Sequence, residues 1–205
     1  MAKLKFTFGA MGAGKSFLLC LDYLNSQKNS CLVVSSVNGL IDKVSSRSGI
    51  SLKHHFAIGL DDTKEKIKEK IEKSKKERKI ENRIKNLFID EAQFLNPQVC
   101  AYLREISNDM DINIFFYGLK IDFMGNLFPA SKKIFEITDE IKSINSICNN
   151  CKKFPASYNL RFVNNSAVFH GDVISTTDKE NYDSRCYACK EELFAEYQEN
   201  LGKNN

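Results

Sequence analysis

A glycine-rich stretch near the N-terminus carries the residue types that bind a polyphosphate. Residues 9–16 have the sequence Gly-Ala-Met-Gly-Ala-Gly-Lys-Ser, which fits the pattern G-x-x-x-x-G-K-[ST]. The glycines allow successive backbone N–H groups to face negative oxygens, Lys15 supplies a mobile charge, and the Ser16 hydroxyl suits a magnesium ion. An apolar run precedes the stretch and a helix-like run follows it, so we expect a strand, a phosphate loop (P-loop) and a helix. The alternative is a glycine-rich turn with an incidental Gly-Lys-Ser.

Two adjacent carboxylates follow a second apolar run. Asp90 and Glu91 come directly after residues 86–89, which have the pattern of a buried strand. A carboxylate at such a strand end can hold magnesium through water, and its neighbour can deprotonate an acceptor hydroxyl. A solvated strand end is the alternative. Together with the glycine-rich stretch, these residues predict phosphoryl transfer from a nucleotide.

Four of the seven cysteines form two C-x-x-C pairs that suit a structural zinc ion. Thirty-four residues separate the pairs, so a long loop would be held at its base. A reduced cluster without metal is the alternative, and His54, His55 and His170 are interpreted as ordinary polar residues. The four candidate ligands are Cys148, Cys151, Cys186 and Cys189.

The composition favours a globular protein with one full domain and a small appendage. The chain has 205 residues, 42% of them apolar, and a formal net charge of +4. That charge is too small to indicate nucleic-acid binding by itself. No apolar run approaches the length of a membrane span, and the first residues lack the apolar region of a signal peptide. We therefore expect a cytoplasmic protein with no membrane partner.

The order of apolar and helical patterns predicts an α/β fold. Strand-like and helix-like segments alternate over the first 146 residues, which is typical of a mostly parallel β-sheet flanked by helices. Residues 35–59 have a loop-like composition, apart from an edge strand at residues 55–58. The other strands are expected at residues 31–34, 86–91, 112–117 and 140–147, and helices at residues 16–27, 97–106 and 131–138.

A dense run of charges at residues 63–85 predicts a helix with a wide solvated face. Its acidic and basic residues are interleaved, and only four isoleucines are available to pack inward. A nucleic-acid-binding arm is the alternative. The absence of aromatic residues for base stacking argues against it.

Four motifs, in order, resemble the type II thymidine kinases, the zinc-containing cytosolic enzymes of that name. The resemblance spans residues 4–189. The motifs are the glycine-rich loop with Met11 at its third position, Asp90-Glu91-Ala92-Gln93-Phe94, Tyr117-Gly118-Leu119-Lys120-Ile121-Asp122-Phe123 with Phe128, and the two cysteine pairs.

The resemblance implies ATP-dependent phosphorylation of the 5′-hydroxyl of thymidine or deoxyuridine. Glu91 would be the general base, and Tyr182 would close over the substrate from a lasso loop between the cysteine pairs. ATP and Mg²⁺ would contact Gly9, Ala10, Met11, Gly12, Ala13, Gly14, Lys15, Ser16, Asp90 and Gln93. The nucleoside base would be surrounded by Met11, Phe94, Leu119, Phe123 and Phe128.

The same resemblance implies a domain division and an assembly. A P-loop kinase domain would occupy residues 1–146, a small C-terminal zinc-binding domain with the lasso would occupy residues 147–192, and residues 193–205 would form a tail. The family also implies a structural Zn²⁺, a homotetramer and feedback inhibition by thymidine triphosphate, with no nucleic-acid partner.

Three departures from the family pattern leave alternatives open. Ala10 and Gly12 replace a proline and a phenylalanine, and the Gly12 replacement predicts a more flexible loop. Where the family has Asp-x-Arg, this chain has Ile41-Asp42-Lys43, so Lys43 or Arg47 would have to supply that charge, and Ser175-Thr176 replaces a Gly-Gly pair. A catalytically weak nucleotide sensor of the same fold is one alternative. A zinc-ribbon ATPase that acts on nucleic acid is the other.

Overall fold

A six-stranded parallel sheet forms the centre of the protein. The computed structural model describes residues 2–27, 30–36, 43–46, 49–173 and 180–203. The sheet has the strand order β5-β2-β6-β7-β1-β8, and its pairings are parallel. Its strands are β1 (Leu4–Phe8), β2 (Cys31–Ser35), β5 (Phe56–Ala57), β6 (Asn86–Asp90), β7 (Asn113–Gly118) and β8 (Glu140–Ser143), and β3 (Lys43–Ser45) and β4 (Ser51–Lys53) form a separate hairpin.

Helices cover both faces of this sheet, as the sequence predicts. The central strands are apolar at consecutive positions, which is typical of parallel strands buried on both sides. Leu87 and Ile89 of β6 face one hydrophobic cluster, whereas Phe88 faces the other. The first cluster includes helices α2 (Lys64–Glu77), α3 (Pro97–Met110) and α4 (Pro129–Ile137), and the second includes α1 (Lys15–Asn25).

Local capping explains where helix α3 begins. The Asn96 side chain accepts a hydrogen bond from the Gln98 N–H at 2.9 Å, and Pro97 occupies the first helical position. Such a side chain satisfies an N–H group that has no partner within the helix.

Helix α2 is shorter than the charge run that predicts it. It ends at Glu77 because Lys79 adopts a left-handed conformation (φ 52°), and the Ile80 N–H donates to the Lys75 carbonyl at 3.0 Å. This is a Schellman-type end, which local charge spacing does not reveal. The expected helix over residues 78–85 is therefore wrong. The exposed face is also partly covered, because Lys64 and Lys68 pair with carboxylates of α3.

Residues 35–59 contain more structure than the sequence predicts. The β3–β4 hairpin forms within the segment interpreted as a loop, and Val44 of β3 is buried in the cluster that includes α1. The predicted edge strand is confirmed as β5, which pairs with β2. Lys43 is exposed on β3, whereas Arg47 and Asp42 lie outside the described residues.

The C-terminal part has its own antiparallel strands. The single strand expected at residues 140–147 is two strands, because β9 (Ser146–Ile147) leaves the large sheet to pair with β10 (Pro155–Ala156). A three-stranded sheet with the order β12-β11-β13 follows, and helix α5 (Tyr187–Lys203) begins directly after Cys186. Its strands are β11 (Tyr158–Val163), β12 (Ser166–Val168) and β13 (Glu180–Arg185). No helix among the described residues is long and apolar enough to cross a membrane.

Candidate functional site

The predicted phosphate loop and the paired carboxylates lie at the same edge of the large sheet. The loop follows β1, Asp90 ends β6, and β7 lies between these two strands. Because the strands are parallel, their carboxyl ends share one edge, where ligands of open α/β sheets bind. The fold therefore brings the two motifs together across one intervening strand.

The loop turns through two glycines and is closed by its own lysine. Gly12 and Gly14 adopt left-handed conformations, with φ of 76° and 87°, that favour glycine. The Lys15 ammonium donates to the carbonyls of Gly9 and Ala10 at 3.0 and 2.9 Å. The positive charge therefore lies across the loop, beside the N-terminus of α1, an arrangement suited to an anion. The predicted flexibility at Gly12 stays a prediction.

Asp90 and Glu91 occupy different environments although they are adjacent. Asp90 is buried, and this burial, followed by the charge of Glu91, raises the pKa of the Asp90 carboxyl, while Lys15 opposes the rise. Glu91 adopts a left-handed conformation (φ 50°), which is uncommon for a residue with a side chain. The Ser36 hydroxyl donates to the Glu91 carbonyl and helps to hold this backbone.

Gln93 joins the carboxylate of Glu91 to the end of β7. Its amide nitrogen donates to Glu91 Oε2 at 2.6 Å, and its amide oxygen accepts from the Leu119 N–H at 2.9 Å. The bridge needs Gly118, because a Cβ at that position would lie 2.5 Å from the Gln93 oxygen. Both ends of the Gln93 amide are therefore used to orient Glu91.

The aromatic residues expected around the nucleoside base make two separate ring contacts. Phe94 and Phe128 meet edge-to-face with their ring centroids 5.8 Å apart. Phe123 is buried, and the guanidinium of Arg161 lies 3.9 Å from its ring centroid. The Ser131 hydroxyl donates to the Leu119 carbonyl at 2.6 Å and helps to fix the loop between β7 and α4, which carries Phe123 and Phe128.

The four paired cysteines converge on one point. Their Sγ atoms all lie within 4.8 Å of one another, and those of Cys151 and Cys186 are 3.8 Å apart. A tetrahedral zinc ion with Zn–S bonds of about 2.3 Å places its sulfurs about 3.8 Å apart, so the donor set fits zinc. Burial opposes ionisation of Cys148, yet backbone N–H groups of Cys186, Cys151 and Asn150 lower its pKa to about 6.

Comparison with known proteins decides the family. The family model described as thymidine kinase matches residues 2–190. The chain belongs to the thymidine kinase family. Membership makes it a kinase with a nucleoside substrate, and the family resemblance carried by the sequence motifs is confirmed.

Curated relatives support the same family over most of the chain. A thymidine kinase from Streptococcus thermophilus is 32% identical over 192 residues, which cover 91% of this chain and 92% of the relative. Those from Lactiplantibacillus plantarum and Ruegeria pomeroyi are 31% and 28% identical; each match covers 91% of this chain, and 94% and 92% of the respective relative. The crystal structure of Pif1 helicase from Candida albicans overlaps 70% of this chain and 36% of its own, with 21% identity and a TM-score of 0.43. No functional conclusion follows from that overlap.

Sequence reasoning missed three residues in this thymidine kinase family member. Asn159, Arg161 and Ser184 are buried polar residues on β11 and β13, between the two cysteine pairs, where the sequence predicts a long loop. Asn159 and Arg161 alternate along β11, and a polar residue at every second strand position was the available signal. Tyr182, the predicted substrate residue, lies opposite Arg161 and is half-buried.

A small open cleft lies beside the start of the phosphate loop. Residues at the start of the loop form one side, and Asn159 lies on the side of the C-terminal strands. The predicted aromatic residues Phe94, Phe123 and Phe128 do not line it. Its lining residues are Phe8, Gly9, Ala10, Lys120, Ile121, Ser143, Ile144, Asn145, Ala156, Ser157 and Asn159.

Proposed function

We propose that the protein transfers the γ-phosphate of ATP to the 5′-hydroxyl of thymidine or deoxyuridine, and that it forms thymidine monophosphate from thymidine. Family membership over residues 2–190 supports the reaction. The observation that carries the assignment to a site is the Glu91–Gln93–Leu119 bridge, which orients one carboxylate beside the phosphate loop.

Glu91 is the proposed general base. A base must be held within hydrogen-bond reach of the hydroxyl that it deprotonates, and its rotamer must be fixed. The Gln93 amide fixes the Glu91 carboxylate, and the Ser36 hydroxyl holds its backbone. Gln93 would therefore act mainly on the orientation of Glu91, in addition to the nucleotide contact that the sequence predicts.

The donor side is assigned to the phosphate loop. Main-chain N–H groups of residues 9–16, other than that of Met11, which donates to Asn159, would bind the phosphate oxygens, and Lys15 would leave its loop carbonyls to follow the transferred charge. Ser16 and Asp90 would hold Mg²⁺, which supplies charge neutralisation at the phosphates when bound. Burial and the charge of Glu91 raise the pKa of the Asp90 carboxyl, and a bound cation would favour its ionised form.

The acceptor side is assigned to the aromatic residues and the C-terminal strands. Met11, Phe94, Leu119, Phe123 and Phe128 would surround the nucleoside base, and Tyr182 would close over it. Zn²⁺ held by the four cysteines would fix the base of the lasso. The change of strand pairing at Ser146 supports a division close to the proposed one between residues 1–146 and residues 147–192. A tail at residues 193–205 is proposed from the family alone, and helix α5 continues into it.

Further parts of the proposal rest on the family alone. They are a homotetramer, inhibition by thymidine triphosphate and a cytoplasmic location.

The test is a direct assay of the purified protein with ATP, Mg²⁺ and labelled thymidine, after its zinc content has been measured. We expect thymidine monophosphate to accumulate in proportion to enzyme. The Lys15→Ala variant should lose the activity, since it removes the charge at the donor phosphates, whereas Lys76→Ala, at an exposed lysine of α2 outside the site, should keep it. Zinc-loaded protein that forms no product above background would contradict the proposal, and salt-sensitive DNA binding would instead favour a nucleic-acid function.

A further inference from the structure

Four side chains share one face of the small antiparallel sheet. In the β11–β13 pairing, Asn159 lies opposite Ser184 and Arg161 lies opposite Tyr182. Residues two apart on a strand, and residues directly opposite on its partner, point to the same side of the sheet. This face therefore carries Tyr182, the residue predicted to cover the substrate, together with three buried polar side chains.

Two of these side chains form hydrogen bonds with the main chain of the phosphate loop. Asn159 Oδ1 accepts a hydrogen bond from the Met11 N–H at 2.6 Å, and the Ser184 hydroxyl donates to the Met11 carbonyl at 2.6 Å. Both main-chain polar groups of Met11 are thus satisfied by residues that lie opposite each other on the small sheet. Asn159 is 4% exposed and Ser184 is 3% exposed, so water competes little for these bonds.

Met11 directly precedes a glycine of the loop. Gly12 is exposed, has φ of 76°, and loses more conformational freedom on ordering than other residues. Ala10 and Ala13 are joined by one backbone hydrogen bond at 3.2 Å. A hold on both polar groups of Met11 restricts the turn where Gly12 would otherwise let the loop rearrange.

We propose that Asn159 and Ser184 are positioning residues that clamp the Met11 main chain and thereby set the affinity of the phosphate loop for the donor nucleotide. The clamp rests on the proposed function, in which this loop binds the ATP phosphates. With this clamp, the small sheet that carries Tyr182, the predicted substrate residue, also controls the binding of the donor nucleotide. It also gives the loop a rigid support in place of a bulky side chain at position 12.

The base of the clamp lies against the cysteine cluster. Ser184 is two residues before Cys186, and its carbonyl accepts from the Asn149 N–H at 2.9 Å, beside Cys148. The Asn149 side chain also donates to Asp183 at 2.5 Å. The same strand thus joins the cysteine cluster to the phosphate loop.

The experiment compares Ser184→Ala, which removes the hydroxyl, with Ser184→Thr, which restores it, and with Ser166→Ala, an exposed serine of β12 in the same sheet. The measurements are the Kd of a fluorescent ATP analogue, the KM values for ATP and thymidine, and zinc content. Loss of one buried hydrogen bond should weaken nucleotide binding about threefold to tenfold in Ser184→Ala. Ser184→Thr should recover at least part of this loss, Ser166→Ala should match the parent protein, and the KM for ATP should rise more than the KM for thymidine.

A second measurement keeps the proposal testable if Ser184→Ala is less stable. Hydrogen–deuterium exchange of the peptide that covers residues 9–16 should speed up in this variant at full zinc content, without nucleotide present. Unchanged exchange and an unchanged Kd would overturn the clamp, even if the melting temperature fell. If the parent protein bound the ATP analogue but did not phosphorylate thymidine, a weakened Kd in Ser184→Ala would support the clamp while the proposed reaction failed.

Discussion

The large parallel sheet and the small antiparallel sheet are stabilised in different ways. Leu32, Leu87 and Ile114 of the large sheet are fully buried among apolar side chains. The small sheet instead buries Asn159 and Ser184 against the phosphate loop, and its last strand runs into the cysteine cluster. Hydrophobic burial is non-directional, whereas hydrogen bonds and metal ligation fix geometry. The large sheet therefore contributes mainly to the stability of the fold, and the small sheet positions the phosphate loop.

The largest effect is expected from removing the base from the large sheet. Glu91→Gln should keep nucleotide binding and lower turnover by about 10²–10⁴, the usual range for a general base. The matched control is Glu81→Gln at an exposed position, which should retain full turnover. Steady-state assays combined with nucleotide titration check this. Full activity of Glu91→Gln would show that Glu91, at the edge of the large sheet, is not the general base.

Zinc removal should loosen the small sheet and leave the large sheet folded. Chelation should increase hydrogen exchange in β11 and β13 and weaken nucleoside binding, because the metal holds the ends of both segments, while β6 and β7 stay protected. Cys151→Ser should behave in the same way, whereas Cys100→Ser, a buried position outside the cluster, should retain one zinc per chain. Re-addition of zinc should restore protection. Simultaneous loss of protection in β6 would show that the large sheet also depends on the metal.

A cavity in the hydrophobic core beside the large sheet should lower the stability of the protein without affecting the zinc site. Leu103 of α3 is fully buried, and Leu103→Ala should lower the free energy of unfolding by about 2–5 kcal/mol. Zinc content should not change. Leu127→Ala, at a residue that is 48% exposed, is the control and should cost much less. Denaturant unfolding measures both, and loss of zinc from the folded Leu103→Ala protein would contradict independent stabilisation of the two sheets.

The smallest effect concerns pH and the edge of the large sheet. Burial, followed by the charge of Arg78, lowers the pKa of His55 to about 4, and its Nδ1 accepts from the Val33 N–H at 2.7 Å. The unfolded chain binds the proton more readily, so this stabilisation is complete above pH 6.5 and is lost as the pH falls towards 4.

Unfolding free energies at pH 7 and pH 4.5 measure this effect. For a partly exposed ring we expect about 1–2 kcal/mol, allowing for solvent screening. His55→Gln should reduce the difference between the two pH values, whereas His170→Gln at an exposed position should not. An equal pH dependence in His55→Gln and the parent protein would contradict a neutral imidazole at this position.

Local motifs predict the large sheet and the site at its carboxyl edge, because the residues of each motif are close together in the sequence. The glycine-rich loop, Asp90 and the four cysteines each follow from spacing alone, and the family pattern orders them. The end of α2 at Lys79 and the β3–β4 hairpin depend on tertiary packing that overrides local charge and composition. Asn159 and Ser184 are distant in sequence from Met11, so only the fold reveals their contact with it.

Gly118 limits how the protein can be altered. A side chain there would occupy the place of the Gln93 oxygen, 2.5 Å from the added carbon. Its φ is not in the left-handed region, so the restriction is one of space rather than of backbone conformation. In a saturation library selected for growth on exogenous thymidine, we expect position 118 to return glycine alone, whereas Gly49, with open space around it, should tolerate asparagine.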